Sequence, residues 1–236
     1  MASGAALRVK PAMAQAEVAS SPEAVVATLE EDIVFGRLHP RERLVEDELI
    51  ERFGLKRHAV RDVLATLERM GLVERHRNVG ALVHSFTPVE VTELYDMRLL
   101  LETEAARKLP LPVPLAALKA LTEIQDMHDA AVAAGDAAAV FRTNIAFHQA
   151  LFGLLGHGAL QQAIDEYARQ THPIRFGTLA SPQYREQSRR EHRAMIAALR
   201  SQDRASLVKL CGQHLLPSRD AYLATHQMRF GHGVKP

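Results

Sequence analysis

The sequence predicts a mainly α-helical protein, in which a small N-terminal domain of helices and one hairpin precedes an all-helical bundle of about six helices. Three observations support this fold class. The helix formers Ala, Leu, Glu, Arg and Gln dominate the composition. The chain has no Trp and only 5% aromatic residues, which disfavours a β-sandwich or a barrel. Apolar residues also recur at helical spacing along most of its 236 residues.

Composition and charge are those of an ordinary globular protein. The chain is 47% hydrophobic and 24% charged with a formal net charge of +1, so total charge predicts no polyanionic partner. The single cysteine, Cys211, excludes a disulfide framework and indicates a reducing, cytoplasmic location. No stretch approaches the roughly 18 apolar residues of a membrane span. Residues 1–20 have many small residues and no apolar periodicity, which predicts a disordered tail.

The first domain begins with residues typical of helix starts and ends where the spacing of apolar residues changes from helical to strand-like. Ser21 followed by Pro22 is typical of a helix start, and a glycine follows each of three runs of helically spaced apolar residues. These runs predict helices near 22–36, 46–53 and 56–71. Apolar and polar residues then alternate on both sides of a turn that contains Gly80. This pattern predicts a hairpin of strands near 72–76 and 81–84.

A capping box marks the start of the second domain. Thr87 and Glu90 stand at the N-cap and N3 positions of a new helix, with proline between them at the first turn. All later periodicity is helical, with predicted helices near 88–108, 114–134, 137–155, 159–173, 182–200 and 204–227. The predicted division is a tail at 1–20, a first domain at 21–86 and a helical domain at 87–230.

Helix, glycine turn, helix and hairpin, in that order, are the elements of a winged helix-turn-helix. Arg57 and Arg61 lie four residues apart, on the face of the third helix opposite the apolar stripe that contains Val60 and Leu64. Arginine on such a face can bond guanine in the major groove of DNA.

Local charge supports this interpretation although total charge does not. Residues 52–77 contain seven basic and three acidic side chains, a surplus of positive charge that suits phosphate contacts. A solvated helix face without a ligand is the alternative for a charged run alone. The turn, the amphipathic third helix and the wing favour DNA binding. The candidate DNA-binding residues are Lys56, Arg57, His58, Arg61, Arg75, Arg77 and Gly80.

With these motifs, residues 44–83 resemble the DNA-binding domain of the GntR superfamily of bacterial transcription regulators. The family pattern falls on Phe53-Gly54, Arg57, Val60-Arg61, Leu64, Leu67, Gly71-Leu72-Val73 and Gly80. The sequence departs from it at three positions. Lys56 stands where serine is usual, Ala59 where proline is usual, and Arg41 where glycine is common. Because lysine at a helix N-terminus opposes the helix dipole, our hypothesis is that a DNA phosphate beside Lys56 offsets this cost.

Three histidines and one asparagine fall among the apolar stripes of the helical domain. Asn144 and His148 share a face of one predicted helix, and His192 and His214 lie on the inward faces of two others. Buried polar groups need partners, and imidazoles that converge inside a bundle suit Zn, Ni or a similar divalent ion. A buried histidine with an ordinary hydrogen-bond partner is the alternative for each one alone.

Residues 88–228 resemble the all-helical FCD domain of the FadR-type branch of the same superfamily. The resemblance rests on Leu94-Tyr95-Asp96-Met97-Arg98, Leu101-Glu102, Phe147-His148, Glu191-His192, Ala198-Leu199 with Asp203, and His214-Leu215. Many FCD domains bind a metal through one Asp and three His, and the resemblance places these ligands at Asn144, His148, His192 and His214. Asparagine at the aspartate position brings no charge, so it implies weaker or differently selective metal binding.

Arg98 is the candidate effector-binding residue. It lies close to the apolar stripe of its helix, and a buried guanidinium needs an anion. The resemblance suggests a small organic acid as that anion, whereas Glu102, four residues on, is the internal alternative. Arg142, Arg175 and Arg189 are weaker candidates.

The sequence therefore predicts a transcriptional regulator rather than an enzyme, and specifically a repressor. It would bind a pseudo-palindromic DNA operator as a homodimer under the control of a small anionic effector. A helical metalloenzyme with an accessory nucleic-acid-binding domain is the alternative function. Against it, Glu191 is expected to face about 100° away from His192, which leaves the histidines without a general base. A non-specific nucleic-acid-binding protein is a third possibility that the inward polar residues disfavour.

Overall fold

A computed structural model describes residues 21–230 and confirms the mainly α-helical fold class. In this range, three helices and a small sheet precede seven further helices. The predicted tail at 1–20 lies outside the described residues. No helix in the described range is long and apolar enough to cross a membrane.

The N-terminal domain has the predicted helix-turn-helix and hairpin. Its elements are α1 Pro22–Val34, β1 Arg43–Leu44, α2 Glu46–Phe53, α3 Arg57–Arg69, β2 Val73–His76 and β3 Gly80–Val83. The Ser21 hydroxyl accepts a hydrogen bond from the Ala24 amide at 3.3 Å and caps α1. Gly54 ends α2 in the left-handed conformation (φ 66°), which glycine adopts without steric cost. The turn into α3 therefore depends on this residue.

The sheet has one strand that periodicity did not predict. Strand β1 pairs antiparallel with β3, so the strand order is β1-β3-β2. Two residues are too few to show an alternating pattern, and only the tertiary structure identifies them as a strand. Just before β1, Arg41 has φ 66°, a left-handed conformation that is unfavourable for most residues other than glycine. Glycine would adopt this conformation without that cost.

Apolar stripes of α1 and α3 form the core of the N-terminal domain. Leu29 of α1 and Val60, Leu64 and Leu67 of α3 are all buried, and they pack in one cluster with residues of the sheet. Since this stripe occupies one side of α3, its charged residues are left on the opposite side.

The helical domain contains the six predicted helices and one more. Its helices are α4 Pro88–Lys108, α5 Leu115–Ala134, α6 Ala137–Gly153, α7 Gly158–Gln170, α8 Phe176–Ala180, α9 Pro182–Arg200 and α10 Arg204–Phe230. The additional helix α8 follows a 3₁₀ turn at Pro173–Arg175. A helix of five residues is too short to display helical periodicity, so no pattern in the sequence predicts it.

Long helices surround one apolar core in this domain. Helix α4 packs against α10 and α7, and α5 packs against α6 and α9. Phe147 and Leu151 of α6 and Met195 and Leu199 of α9 are buried together in the core. The capping box at Thr87 is formed as predicted, with both reciprocal hydrogen bonds present.

The two domains are in contact through the C-terminal end of α1. Val34 is buried in one cluster with Phe141 of α6 and Leu179 of α8. Phe35 meets Phe141 edge to face, with 5.9 Å between the ring centroids. Helix α1 therefore belongs to the core of the first domain and to the surface between the two.

Candidate functional site

The exposed side of α3 carries the residues that the sequence predicted for DNA binding. Lys56, Arg57, His58 and Arg61 are all exposed, whereas the apolar stripe of the same helix is buried. Lys56 is the N-cap residue and makes no side-chain capping bond. The first amides of α3 thus have no partner from a cap side chain, which leaves them available to a phosphate.

Acidic residues of α2 are paired with both arginines. Arg57 contacts Asp47 at 2.6 Å and Glu46 at 3.3 Å, and Arg61 contacts Glu46 at 3.1 Å. The hydrogen bond from Arg61 lowers the pKa of Glu46 below its usual value. Sequence reasoning missed these pairs because it counted charges only from residue 52 onward, which left out the acidic first turn of α2.

The hairpin lies against the same side of the domain. Arg75 donates a hydrogen bond through Nη2 to the backbone oxygen of Arg61 at 3.0 Å, which fixes the base of the wing beside α3. Arg77 and Gly80 are exposed near its tip. The structure therefore exposes all seven candidate DNA-binding residues and joins the wing to the recognition helix.

The three predicted histidines of the helical domain converge from α6, α9 and α10. Nε2 of His148 lies 3.1 Å from Nε2 of His214, and one ring nitrogen from each of His148, His192 and His214 falls within 4.8 Å of the others. In a tetrahedral zinc site, Zn–N bonds of about 2.0–2.1 Å place ligand nitrogens roughly 3.3 Å apart. The histidine spacing is thus close to that of a metal site.

Buried polar atoms without hydrogen-bond partners also support a metal site at these residues. Nε2 of His192 and both side-chain heteroatoms of Asn144 are buried with no partner among the described residues. Unsatisfied buried groups cost free energy, so they are rare unless a ligand completes them. Asn144 lies one turn before His148 on α6, which puts its side chain on the same face. The donor set of one amide oxygen and three imidazoles suits a borderline divalent ion.

Two further side chains orient the imidazoles, and sequence reasoning identified neither. Gln125 Oε1 lies 2.9 Å from His192 Nδ1, and Glu191 Oε2 lies 2.6 Å from His214 Nδ1. Both contacts hold Nδ1 and leave Nε2 directed at the other histidines, as outer partners of metal ligands do. A signal for Gln125 existed, because it shares the inward stripe of α5 with Leu121 and His128.

Glu191 was expected to face about 100° away from His192, and its contact is with a different histidine, His214. The side chains of Glu191 and His192 leave α9 in different directions, but that of Glu191 is long enough to reach the neighbouring helix α10. Burial alone would raise the pKa of Glu191, yet the hydrogen bond from His214 and its charge lower it overall. The carboxylate is thus engaged with an imidazole and is not a free base.

Burial keeps the central imidazoles neutral. Desolvation, followed by the charge on His214, holds the pKa of both His148 and His192 well below the usual value. A neutral imidazole presents a lone pair, which is the form that binds metal.

A cavity of about 210 Å³ adjoins this group and is lined by Asn144, His148, Arg98 and Arg175, among others. Arg98 is buried, and its guanidinium is paired with Glu102 at 2.8 Å and with the Thr171 hydroxyl at 2.9 Å. The internal pairing, which the sequence left open as the alternative, is therefore present.

Two further arginines line the cavity, and whereas Arg169 is exposed to solvent, Arg175 is not. Among residues 21–230, no carboxylate lies within ion-pair distance of its guanidinium. Desolvation, together with the charge on Arg98, lowers the pKa of Arg175 to about 10, so it stays protonated at neutral pH. The sequence analysis named Arg175 only as a weaker candidate than Arg98.

Comparison with known protein families gives two matches, one within each of the two domains. The bacterial regulatory proteins of the gntR family match residues 22–83, and the FCD domain matches residues 93–216.

Curated relatives and solved structures agree with these matches. The HTH-type transcriptional regulator YdhC of Bacillus subtilis is 24% identical over 192 residues, which are 80% of this chain and 83% of the relative. The gluconate operon transcriptional repressor of Bacillus subtilis is 28% identical over 143 residues, 61% of this chain, and the match spans only 58% of that repressor. A GntR transcriptional regulator from Rhodococcus sp. RHA1 has a TM-score of 0.72 at 20% identity, over 86% of this chain and 97% of its own. McbR/YncC of E. coli has a TM-score of 0.75 at 18% identity, over 87% and 98%.

Proposed function

The chain belongs to the GntR family of bacterial regulatory proteins and carries an FCD domain, which makes it a DNA-binding transcriptional regulator and not an enzyme; we propose that it is a repressor controlled by a small organic anion. The observation that carries this proposal is Arg175, a desolvated guanidinium without an ion-pair partner beside a group of side chains that could hold a metal ion. The relatives that match it include repressors of a gluconate operon, which supports repression as the mode of action.

DNA binding is proposed for the exposed side of α3 and the wing. Arg57 and Arg61 would exchange Glu46 and Asp47 for base edges or phosphates, and Lys56 would meet a phosphate at the N-terminus of α3. Arg75, Arg77, His58 and Gly80 would complete the surface. One recognition helix reads only a half-site, so we propose a homodimer on a pseudo-palindromic operator.

A divalent metal, Zn or Ni, is proposed at Asn144, His148, His192 and His214. The orphaned atoms of Asn144 and His192 and the short contact between His148 and His214 support this set. When bound, such an ion supplies positive charge that attracts a carboxylate. Gln125 and Glu191 would hold two of the imidazoles in the orientation that the ion needs.

The effector is proposed to be a small carboxylate held by Arg175. Arg98 lines the same cavity, but its charge is already balanced by Glu102. We therefore assign the direct contact to Arg175 and treat Arg98 as a neighbour that adds positive potential. Gluconate belongs in the first panel of compounds because of the matched repressors.

Binding assays on the purified full chain test the DNA part of the proposal. Arg61→Ala should cost about 1–3 kcal/mol on a selected operator and less on random duplex. Equal losses on both would reassign Arg61 to a phosphate. Arg69→Ala, at an exposed arginine in the last turn of the same helix that is not a candidate for DNA contact, is the matched control.

Elemental analysis and thermal shift test the metal and effector parts. The wild-type chain should carry one divalent ion, and His148→Ala should lose it while the operator is still bound. Arg175→Gln should abolish stabilisation by the carboxylate panel, whereas Arg142→Gln, an exposed arginine that pairs with Glu31, should not. Retention of metal in His148→Ala would reject the ligand set.

A further inference from the structure

Helix α1 presents different faces to the two domains. Val25, Leu29 and Ile33, spaced four residues apart, are buried in the core of the DNA-binding domain. Glu30 and Glu31 lie on a different face and contact the helical domain. A displacement of these two side chains would therefore move a helix that packs directly against the recognition helix α3.

Glu30 reaches the cavity that the proposed function assigns to the effector. Its Oε1 lies 2.7 Å from Nδ1 of His172, and both side chains are largely buried, at 18% and 8% exposure. The cavity of about 210 Å³ is lined by Glu30 together with His172, Arg175 and His148. Among its lining residues within 21–230, Glu30 is the one that the DNA-binding domain supplies.

The cavity around Glu30 has positive side chains that an anionic ligand would use, and it is also lined by the carboxylates Glu102 and Asp165. Burial lowers the pKa of His172 in spite of the nearby Glu30, so at neutral pH the ring donates Nδ1–H to the carboxylate as a neutral imidazole. The positive charges of Arg175 and Arg98 act on the same ring. A second carboxylate placed against Arg175 would share a partly desolvated cavity with Glu30, where like charges repel more strongly than in water.

We infer that Glu30 is an effector-site residue contributed by the DNA-binding domain, and that an anion bound against Arg175 expels it from His172. The inference rests on the proposed function, in which this cavity takes a carboxylate. Expulsion of Glu30 weakens the hold of the helical domain on α1 and frees the DNA-binding domain to change its orientation. Anion and operator affinities are then linked, because each depends on the same position of α1.

Substitutions at Glu30 separate its charge from its hydrogen bond. Glu30→Gln keeps an acceptor for His172 but removes the charge, so the anion should bind about tenfold more tightly without expelling the side chain. Glu30→Ala removes both, so α1 should be released without any anion. Glu31→Gln is the matched control, because it removes the same charge from the same helix and the same domain contact. Its partner Arg142 is exposed and does not line the cavity.

The experiment uses the zinc-loaded full chain with gluconate as the probe, its affinity measured by calorimetry and the exposure of α1 by amide hydrogen exchange. In the wild type and in Glu31→Gln, gluconate should speed exchange in α1. In Glu30→Gln, gluconate should bind more tightly and leave the exchange rates of α1 unchanged. In Glu30→Ala, exchange in α1 should be fast even without gluconate.

The possible failures are distinguishable. If gluconate binds all variants equally and exposes α1 equally in all, Glu30 is not part of the site and the inference is overturned, while the proposed function stands. Binding to Glu30→Gln alone would support the inference, since it identifies Glu30 as the group that excludes the anion. Binding to no variant overturns the inference together with the assignment of this anion to the cavity.

Discussion

At the scale of single residues, the molecule places carboxylates against several of the groups that we propose bind DNA and the effector. Glu46 and Asp47 accept hydrogen bonds from the arginines of the recognition helix, and Glu30 accepts one from a histidine of the cavity. In each case a carboxylate of the protein accepts a hydrogen bond from a donor that a DNA phosphate or an anionic ligand would otherwise use. Binding is then an exchange of partners, so its net free energy is smaller than the new contacts alone suggest.

Glu46→Gln should increase DNA affinity, because it removes a competitor of phosphate and bases for Arg57 and Arg61. Exposed ion pairs contribute about 0.2–1 kcal/mol, so the expected gain is at most about fivefold. Operator and random duplex should be titrated separately. Glu48→Gln is the control, an exposed acid in the same turn of α2, and an equal gain there would show that only total charge matters.

Asn144→Asp should increase zinc affinity by about tenfold or more, because a carboxylate adds negative charge to three neutral ligands. Competition with a chromogenic chelator measures the change. Asn78→Asp, the same substitution in the exposed turn of the wing, should have no effect. Unchanged affinity in Asn144→Asp would mean that this position does not contact the ion.

At the scale of elements, local sequence determined where helices begin and which side of each is buried. The capping box at Thr87, the Ser21 cap and the Gly54 turn all form as predicted. The short elements β1 and α8 were missed, because two and five residues carry no measurable period. They are held by tertiary contacts instead, β1 by its pairing with β3 and α8 by packing against α9 and α10.

Thr87→Ala should lower the free energy of unfolding by about 1 kcal/mol, because it removes the side-chain acceptor for the Glu90 amide at the start of α4. Chemical denaturation followed by circular dichroism measures the loss. Thr92→Ala, in the next turn of α4, should be nearly neutral, since its hydroxyl only bonds back to the Pro88 oxygen. Equal effects would argue against the cap.

At the scale of the whole molecule, α1 is a helix of the first domain that contacts the helical domain. Its end packs on the helical domain through Val34 and Phe35, and its acidic residues pair with His172 and Arg142. Part of this contact lies at the wall of the cavity proposed for the effector. An orientation change at the cavity therefore has a direct mechanical route to α3.

Phe35→Ala should uncouple the thermal unfolding of the two domains, because it removes the edge-to-face contact with Phe141 at their interface. Scanning calorimetry should resolve two transitions in the variant where the wild type shows one. Leu38→Ala is the control, since Leu38 packs against the core of the DNA-binding domain alone and should shift that transition without adding another.

The sequence by itself determined the fold class, the order of the helices and the exposed arginines of α3, since each follows from local periodicity and capping. It also selected the inward Asn144, His148, His192 and His214, because a polar residue on an apolar stripe is visible without coordinates.

Only the tertiary structure decided which groups meet across helices. Glu191 with His214, Gln125 with His192, and Glu30 with His172 are separated by 23 to 142 residues along the chain, and no local pattern relates them. The same holds for Arg98 and Arg175, because whether a guanidinium is free depends on carboxylates brought near by packing. Periodicity fixes the direction of a side chain, whereas its partner is set by the arrangement of all the helices together.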